Sequence, residues 1–120
     1  MRVFASLLIA LSLGGCASLK ELWPRAHDPV LVDRWVDTQI AIERVDCASK
    51  PIRGWDVATD SSERLARLSE FRADPQARNM RGLADLIKTA AGRDSKTFCE
   101  LSVKLAQDRL RAARSAWEGR

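Results

Sequence analysis

Few side chains in this 120-residue chain have the type and spacing for covalent or acid–base chemistry. Asp33 and Asp37 stand four residues apart, one helical turn, and could share a face. Paired carboxylates divide acid and base roles in glycoside hydrolysis. Here they flank Arg34 in an amphipathic stretch, and a solvated polar strip accounts for them more simply. Glu100 and Asp108 also fall outside the apolar seam of their segment. A single histidine, His27, leaves no histidine-based metal cluster and no convincing Ser-His-Asp set. No glycine-rich phosphate loop occurs, and tyrosine is absent. The residues therefore imply no catalytic set, no cofactor and no metal. What remains is the chemistry of sulfur, at Cys16, Cys47 and Cys99.

Cys16 closes an apolar run. Arg2 is a positive start, and residues 3–13 are apolar apart from Ser6 and Ser12. Eleven residues are too few for a spanning helix, which needs about 20. They suit a signal peptide that is removed and left out of fold reasoning. Gly14 and Gly15 are small enough to lie beside a scissile bond. The tetrapeptide Leu13-Gly14-Gly15-Cys16 resembles the lipobox of bacterial lipoproteins: a large aliphatic residue, two small ones and a cysteine. In that family the cysteine thiol receives a diacylglyceryl group. A signal peptidase cuts before the cysteine, here between Gly15 and Cys16, and the new amine is acylated. The resemblance implies lipid attachment at Cys16 and a membrane as first partner. Acyl chains contribute about 0.8 kcal/mol per buried methylene, and two or more anchor stably. The plainer alternative is an ordinary secretory signal with an incidental cysteine. By the same resemblance Ala17, where an Asp often retains such proteins at the inner membrane, implies the outer membrane facing the periplasm. The expected division is a signal peptide over 1–15, a lipidated tether over 16–27 and a helical domain over 28–120.

With Cys16 lipidated, the resemblance leaves Cys47 and Cys99 in an oxidising compartment, where an even pair reads as a disulfide. Closing a loop of that size stabilises by about 4 kcal/mol at most in the chain-entropy account. Two buried free thiols, or half of a metal site, are the alternatives. A metal would need further ligands, and His27 is distant in sequence. Removing residues 1–15 takes away one cation, Arg2, and lowers the formal charge from +4 to +3. Such a mixed surface lacks the clustered cations of a nucleic-acid binder.

The elements that must position these residues are helical. The tether has no sustained period; its Trp23 suits either the lipid headgroups or the domain surface. Asp28-Pro29 is a cap followed by a first-turn proline, and a helix should run to about Val45. Leu31, Trp35, Ile42 and Val45 form one side, and Val32, Val36 and Ile40 an adjoining stripe. Asp33, Arg34, Asp37, Ala41 and Arg44 cover the rest. An apolar arc this broad implies contact on two sides. Residues 46–60 read as a connection punctuated by Pro51 and Gly54, pinned by Cys47 and Trp55. Trp55 is either a buried anchor or an exposed recognition residue. Asp60 and Glu63 have capping-box spacing ahead of Leu65, Leu68 and Phe71. Asp74-Pro75 repeats the cap-then-proline start for a helix carrying Met80, Leu83, Ala84, Ile87 and Ala91, with Leu86 beside them. Gly82 marks a weakness or a close approach, and Gly92 a stop. From Asp94 or Ser95 a last helix carries Cys99, Val103, Ala106, Leu110, Ala113 and Trp117 as an a/d seam. Leu101, Leu105, Ala112 and Ala116 widen that seam, and Gly119 ends the helix.

No strand pattern competes. The expected fold is all-α, a small four-helix bundle with one disulfide that ties the end of the first helix to the start of the last. The expected function is a non-enzymatic adaptor that binds an amphipathic helix of another envelope protein. Val32, Val36, Ile40 and Trp55 are the candidate partner surface. In architecture this is similar to the all-helical pilotins of secretion systems, small outer-membrane lipoproteins that carry a secretin subunit outward by its C-terminal tail. The similarity covers the lipobox, the helical content, one cysteine after the first helix and another in the last. No motif of the mature domain carries over. A phage- or plasmid-encoded exclusion or immunity lipoprotein is the alternative, and a cell-wall enzyme or enzyme inhibitor a further one.

Overall fold

A computed structural model describes residues 28–119. The expectations for Leu13-Gly14-Gly15-Cys16, Trp23 and His27 lie outside the described residues. Four helices follow in chain order: α1 (Pro29–Glu43), α2 (Trp55–Phe71), α3 (Ala77–Ala91) and α4 (Lys96–Glu118). Among the described residues there is no strand, only one isolated bridge between Asp46 and Arg53. Each helix packs on two neighbours, α1 on α2 and α4, α3 on α2 and α4, and the backbones of the diagonal pairs stay more than 8 Å apart. Neighbours run antiparallel. Asp28 reaches Arg72 while Thr38 reaches Ser61, and Trp35 bonds Leu110 while Cys47 is joined to Cys99. The chain is an all-α, up-and-down bundle with one disulfide.

The local chemistry explains where the helices start. Asp28 Oδ1 accepts from the amides of Val30 and Leu31, both at 3.2 Å, and Pro29 follows as a first-turn residue without an N–H. Ser95 caps α4 by accepting from the amide of Phe98 at 3.3 Å. α2 begins at Trp55, five residues before the expected cap at Asp60. Gly54 turns the chain with φ +97°, and the carbonyl of Gly54 accepts from Ala58 N. Asp60 instead lies exposed within α2 and pairs with Arg64. The connection is therefore shorter than expected, residues 44–54. Mutual Asp46–Arg53 backbone bonds and an Asp46 side chain that accepts from the amides of Ala48 and Ser49 hold it. α1 likewise ends at Glu43, and Val45 belongs to the connection.

The α2–α3 corner is a Schellman turn. The amide of Ala73 donates to Glu70 O and that of Asp74 to Ser69 O, with Ala73 at φ 49°. Asp74 accepts from Gln76 N at 2.7 Å, and α3 starts at Ala77 rather than at Pro75. Gly92 ends α3 with φ −82°, an ordinary right-handed conformation.

Small residues dominate the core. Ala58, Ala66, Ala84, Ala90, Ala106 and Ala113 are buried, together with Ser62, Ser69, Ser102 and Thr38. They let helix backbones approach closely, while Leu31, Trp35, Ile42, Leu65, Met80, Leu83, Ile87 and Leu110 fill the layers between. Two of the buried serines are satisfied by bonding back along the helix: Ser69 Oγ donates to Leu65 O at 2.8 Å, and Ser62 Oγ to Thr59 O at 3.1 Å. Trp35 Nε1 donates to Leu110 O at 2.9 Å and ties α1 to α4.

Four apolar expectations are corrected. Phe71 is 86% exposed. A period of three falls behind the 3.6-residue turn, so Phe71 points about 120° away from Leu65. Leu101, Leu105 and Ala112 also lie outside, and the α4 seam is Cys99, Ser102, Ala106, Leu110 and Ala113, with Val103, Ala116 and Trp117 half-buried. Ala41, expected on the polar strip, is buried, and Ala90 rather than Ala91 completes the α3 face.

Candidate interface on the first two helices

The disulfide joins Cys47, just past α1, to Cys99 in the first turn of α4, with the Cα atoms 5.7 Å apart. Cys99 is buried and Cys47 half-buried, so the bridge belongs to the packing and leaves no free thiol there. It closes the end of the bundle opposite to Asp28.

Of the four residues expected on a partner surface, three share one stripe of α1. Val32 is half-buried, Val36 is 40% exposed and Ile40 is 39% exposed. Successive steps of four residues advance the stripe by about 40° each, so it drifts from the α4 side toward open surface. The fourth residue does not join it. Trp55 is 5% exposed and packs in the core at the start of α2. That corrects its place on a partner surface: the indole is an anchor. The connection turns at Gly54 and delivers Trp55 inward, and a Cβ at Gly54 would lie 3.0 Å from Arg44 O and Val45 Cα. Trp55 Nε1 is buried and has no hydrogen-bond partner among the described residues.

Ile40 borders a groove of about 440 Å³ between α1 and α2. Ala41 and Ser61 are small and let it form, and Val57 of α2 faces Ile40's side of it at 56% exposure. Thr38 Oγ1 donates to Arg34 O at 2.7 Å and lies 3.2 Å from Ser61 O, pinning the two helices near the groove. Charges rim it. Arg34 pairs with Asp37 at 3.4 Å and Arg64 with Asp60 at 3.1 Å. Arg44 has no acidic partner within ion-pair distance among the described residues. The rim therefore carries one uncompensated cation beside two exposed aliphatic side chains. Sequence reasoning found Ile40 and missed Val57 and Arg44. The sequence pattern puts Val57 in a connection, and only a helix beginning at Trp55 turns it toward α1.

The remaining charged constellation is a clamp between α2 and α3. Arg81 Nε donates to Glu70 Oε1 at 2.7 Å and Nη2 to Glu70 Oε2 at 3.1 Å, while Nη1 donates to Glu63 Oε2 at 2.8 Å. Arg67 Nε donates to Glu63 Oε1 at 2.9 Å. Hydrogen bonds from Arg67 and Arg81 hold the Glu63 carboxyl below the ordinary glutamate range, and those from Arg81 do the same at Glu70. The two carboxylates in turn push the guanidinium of Arg81 up. Such a clamp sets the register of two helices and has no proton to give near neutrality.

Asp33 and Asp37 are both exposed, and Asp37 is engaged by Arg34. Glu100 and Asp108 are exposed on α4. Among the described residues no group of three or more His, Cys, Asp or Glu is placed to hold a metal ion. No helix among them is long and apolar enough to cross a membrane. Fold and surface thus define a class: a small disulfide-stapled helical bundle with a shallow, partly apolar groove on one flank. No protein-family model, no curated protein and no solved structure matches the chain.

Proposed function

We propose that the protein is a lipid-anchored adaptor of the bacterial cell envelope, held at the outer membrane through Cys16 and binding another envelope protein without catalysis. The partner segment is an amphipathic helix with apolar residues one turn apart and a carboxylate beside them. The observation that carries the binding half of this reading is the groove itself: Ile40 and Val57 exposed on facing helices, with Arg44, which has no acidic partner among the described residues, at its rim. Exposed aliphatic side chains flanked by a lone cation suit the apolar face and acidic edge of a docked helix. The anchoring half rests on the resemblance of Leu13-Gly14-Gly15-Cys16 to a lipobox. A pilotin-like role, delivery of a secretin subunit, is the particular form of the reading that the architecture suggests.

The test is capture from chemically crosslinked envelopes of the native host. Wild-type protein should retain one defined partner, and Ile40→Glu with Val57→Glu should lose it. Leu101→Glu, an equally exposed position on α4, should keep it. Equal capture by all three proteins would remove the groove from the account.

A further inference from the structure

We infer that the end of the bundle that carries Phe71 lies against the phospholipid surface, with the Phe71 ring among the headgroups. This rests on the lipid-anchor reading of Cys16 proposed above. Phe71 is the most exposed large apolar side chain in the described chain, at 86%. It is the last residue of α2, where the Schellman turn carries the backbone away and no neighbouring helix covers the ring.

The same end is where the chain enters the domain. Asp28, the cap of α1, lies 3.5 Å from Arg72, the residue after Phe71. Val30, in the first turn of α1, is also exposed. Residues 16–27 separate the acylated cysteine from Asp28, and twelve residues span at most roughly 40 Å. The membrane is thus always within that reach of Phe71, at a high effective concentration. α1 carries the chain about 22 Å from Asp28 toward the disulfide, so the opposite end is the more distant one by construction.

Charge near Phe71 is largely compensated: four carboxylates at this end are engaged among the described residues, and Asp33, one turn further along α1, is exposed. Asp28 pairs with Arg72, Glu70 with Arg81, and Glu118 with Arg114. Asp74 accepts from Trp117 Nε1 at 3.0 Å. Arg78, exposed in the first turn of α3, has no acidic partner among the described residues and is available to a lipid phosphate. A phenyl ring at an end that also exposes Arg72 and Arg78 suits the interfacial zone, where apolar surface meets phosphate. The groove between α1 and α2 would then stand upright on the membrane, open along its side to a segment arriving parallel to the bundle axis.

The test is Phe71→p-benzoylphenylalanine in the full-length, processed lipoprotein, reconstituted in phosphatidylethanolamine–phosphatidylglycerol vesicles and irradiated. The same substitution at Leu101, exposed on the flank of α4, is the reference. Intact-mass analysis should find phospholipid adducts severalfold more abundant at position 71 than at 101. Equal adduct yields, or a covalent dimer at position 71 in place of lipid, would overturn the inference while leaving the anchor standing. Protein that fails to float with the vesicles would overturn the anchor reading, and the inference with it.

Discussion

Gly54 is the residue on which the α1–α2 geometry turns. Its φ of +97° is costly for any residue with a Cβ, by roughly 1–2 kcal/mol. The added atom would also press on the backbone of Arg44 and Val45 at 3.0 Å. Gly92 is the opposite case: it is right-handed, and a Cβ there would meet only Thr89 O at 3.6 Å. Gly54→Ala should therefore lower stability by at least about 1–2 kcal/mol, and Gly92→Ala should leave it unchanged or raise it by up to about 1 kcal/mol. Chemical denaturation of the two variants beside wild type checks this. Similar losses in both would contradict the backbone argument. The two glycines looked alike in the sequence, as breakers between helices, because φ is not written in residue type. For Gly82 the sequence leaves a weakness or a close approach open, and the guanidinium of Arg109 lies 2.9 Å from where a Cβ would be.

The helices themselves were legible wherever apolar spacing was long and regular. α1 and α4 follow from Asp28-Pro29 and Ser95 caps and from seams of three and four residues. α2 departs from expectation at its start and in the facing of Phe71, for physical reasons, while its stop before Asp74 agrees. Asp60-Ser61-Ser62-Glu63 has the composition of a helix start, yet Ser62 is buried and satisfied by back-bonding, so the segment continues a helix instead of opening one. At the other end, Leu65, Leu68 and Phe71 look like one face, but the helix repeat rotates the last of them outward. The candidate groove was half legible for the same reason: Ile40 lies on the well-read helix and Val57 on the misread one. The α2–α3 clamp has a consequence for pH. Glu63 and Glu70 have folded pKa values depressed below the ordinary 4.5 by their arginine partners. Carboxyls of this kind bind fewer protons when folded, so their stabilisation is present above the unfolded pKa and is lost as pH falls through the folded pKa. Thermal stability should therefore drop as pH is lowered past about 4.5, and Arg81→Met should flatten that drop. Melting curves taken between neutral and strongly acidic pH will decide. An unchanged acid profile in Arg81→Met would show that the clamp contributes nothing to it. The screening of exposed ion pairs keeps the effect modest.

At the scale of the molecule, the two ends of the bundle differ in kind. One end is closed by the disulfide between Cys47 and Cys99; the other gathers the chain entry at Asp28, the exposed Phe71 and the last turn of α4. The flank between them offers the groove. Under the proposed anchoring at Cys16, this division suits a body tethered at one end and read from the side. The whole account depends on what happens at Cys16. The most direct measurement is intact-mass and N-terminal peptide analysis of the mature protein extracted from native envelopes. The account predicts a chain that begins at Cys16 and carries diacylglyceryl and amide-linked acyl mass on that residue. A mature chain without added acyl mass, or one beginning at another residue, would contradict it.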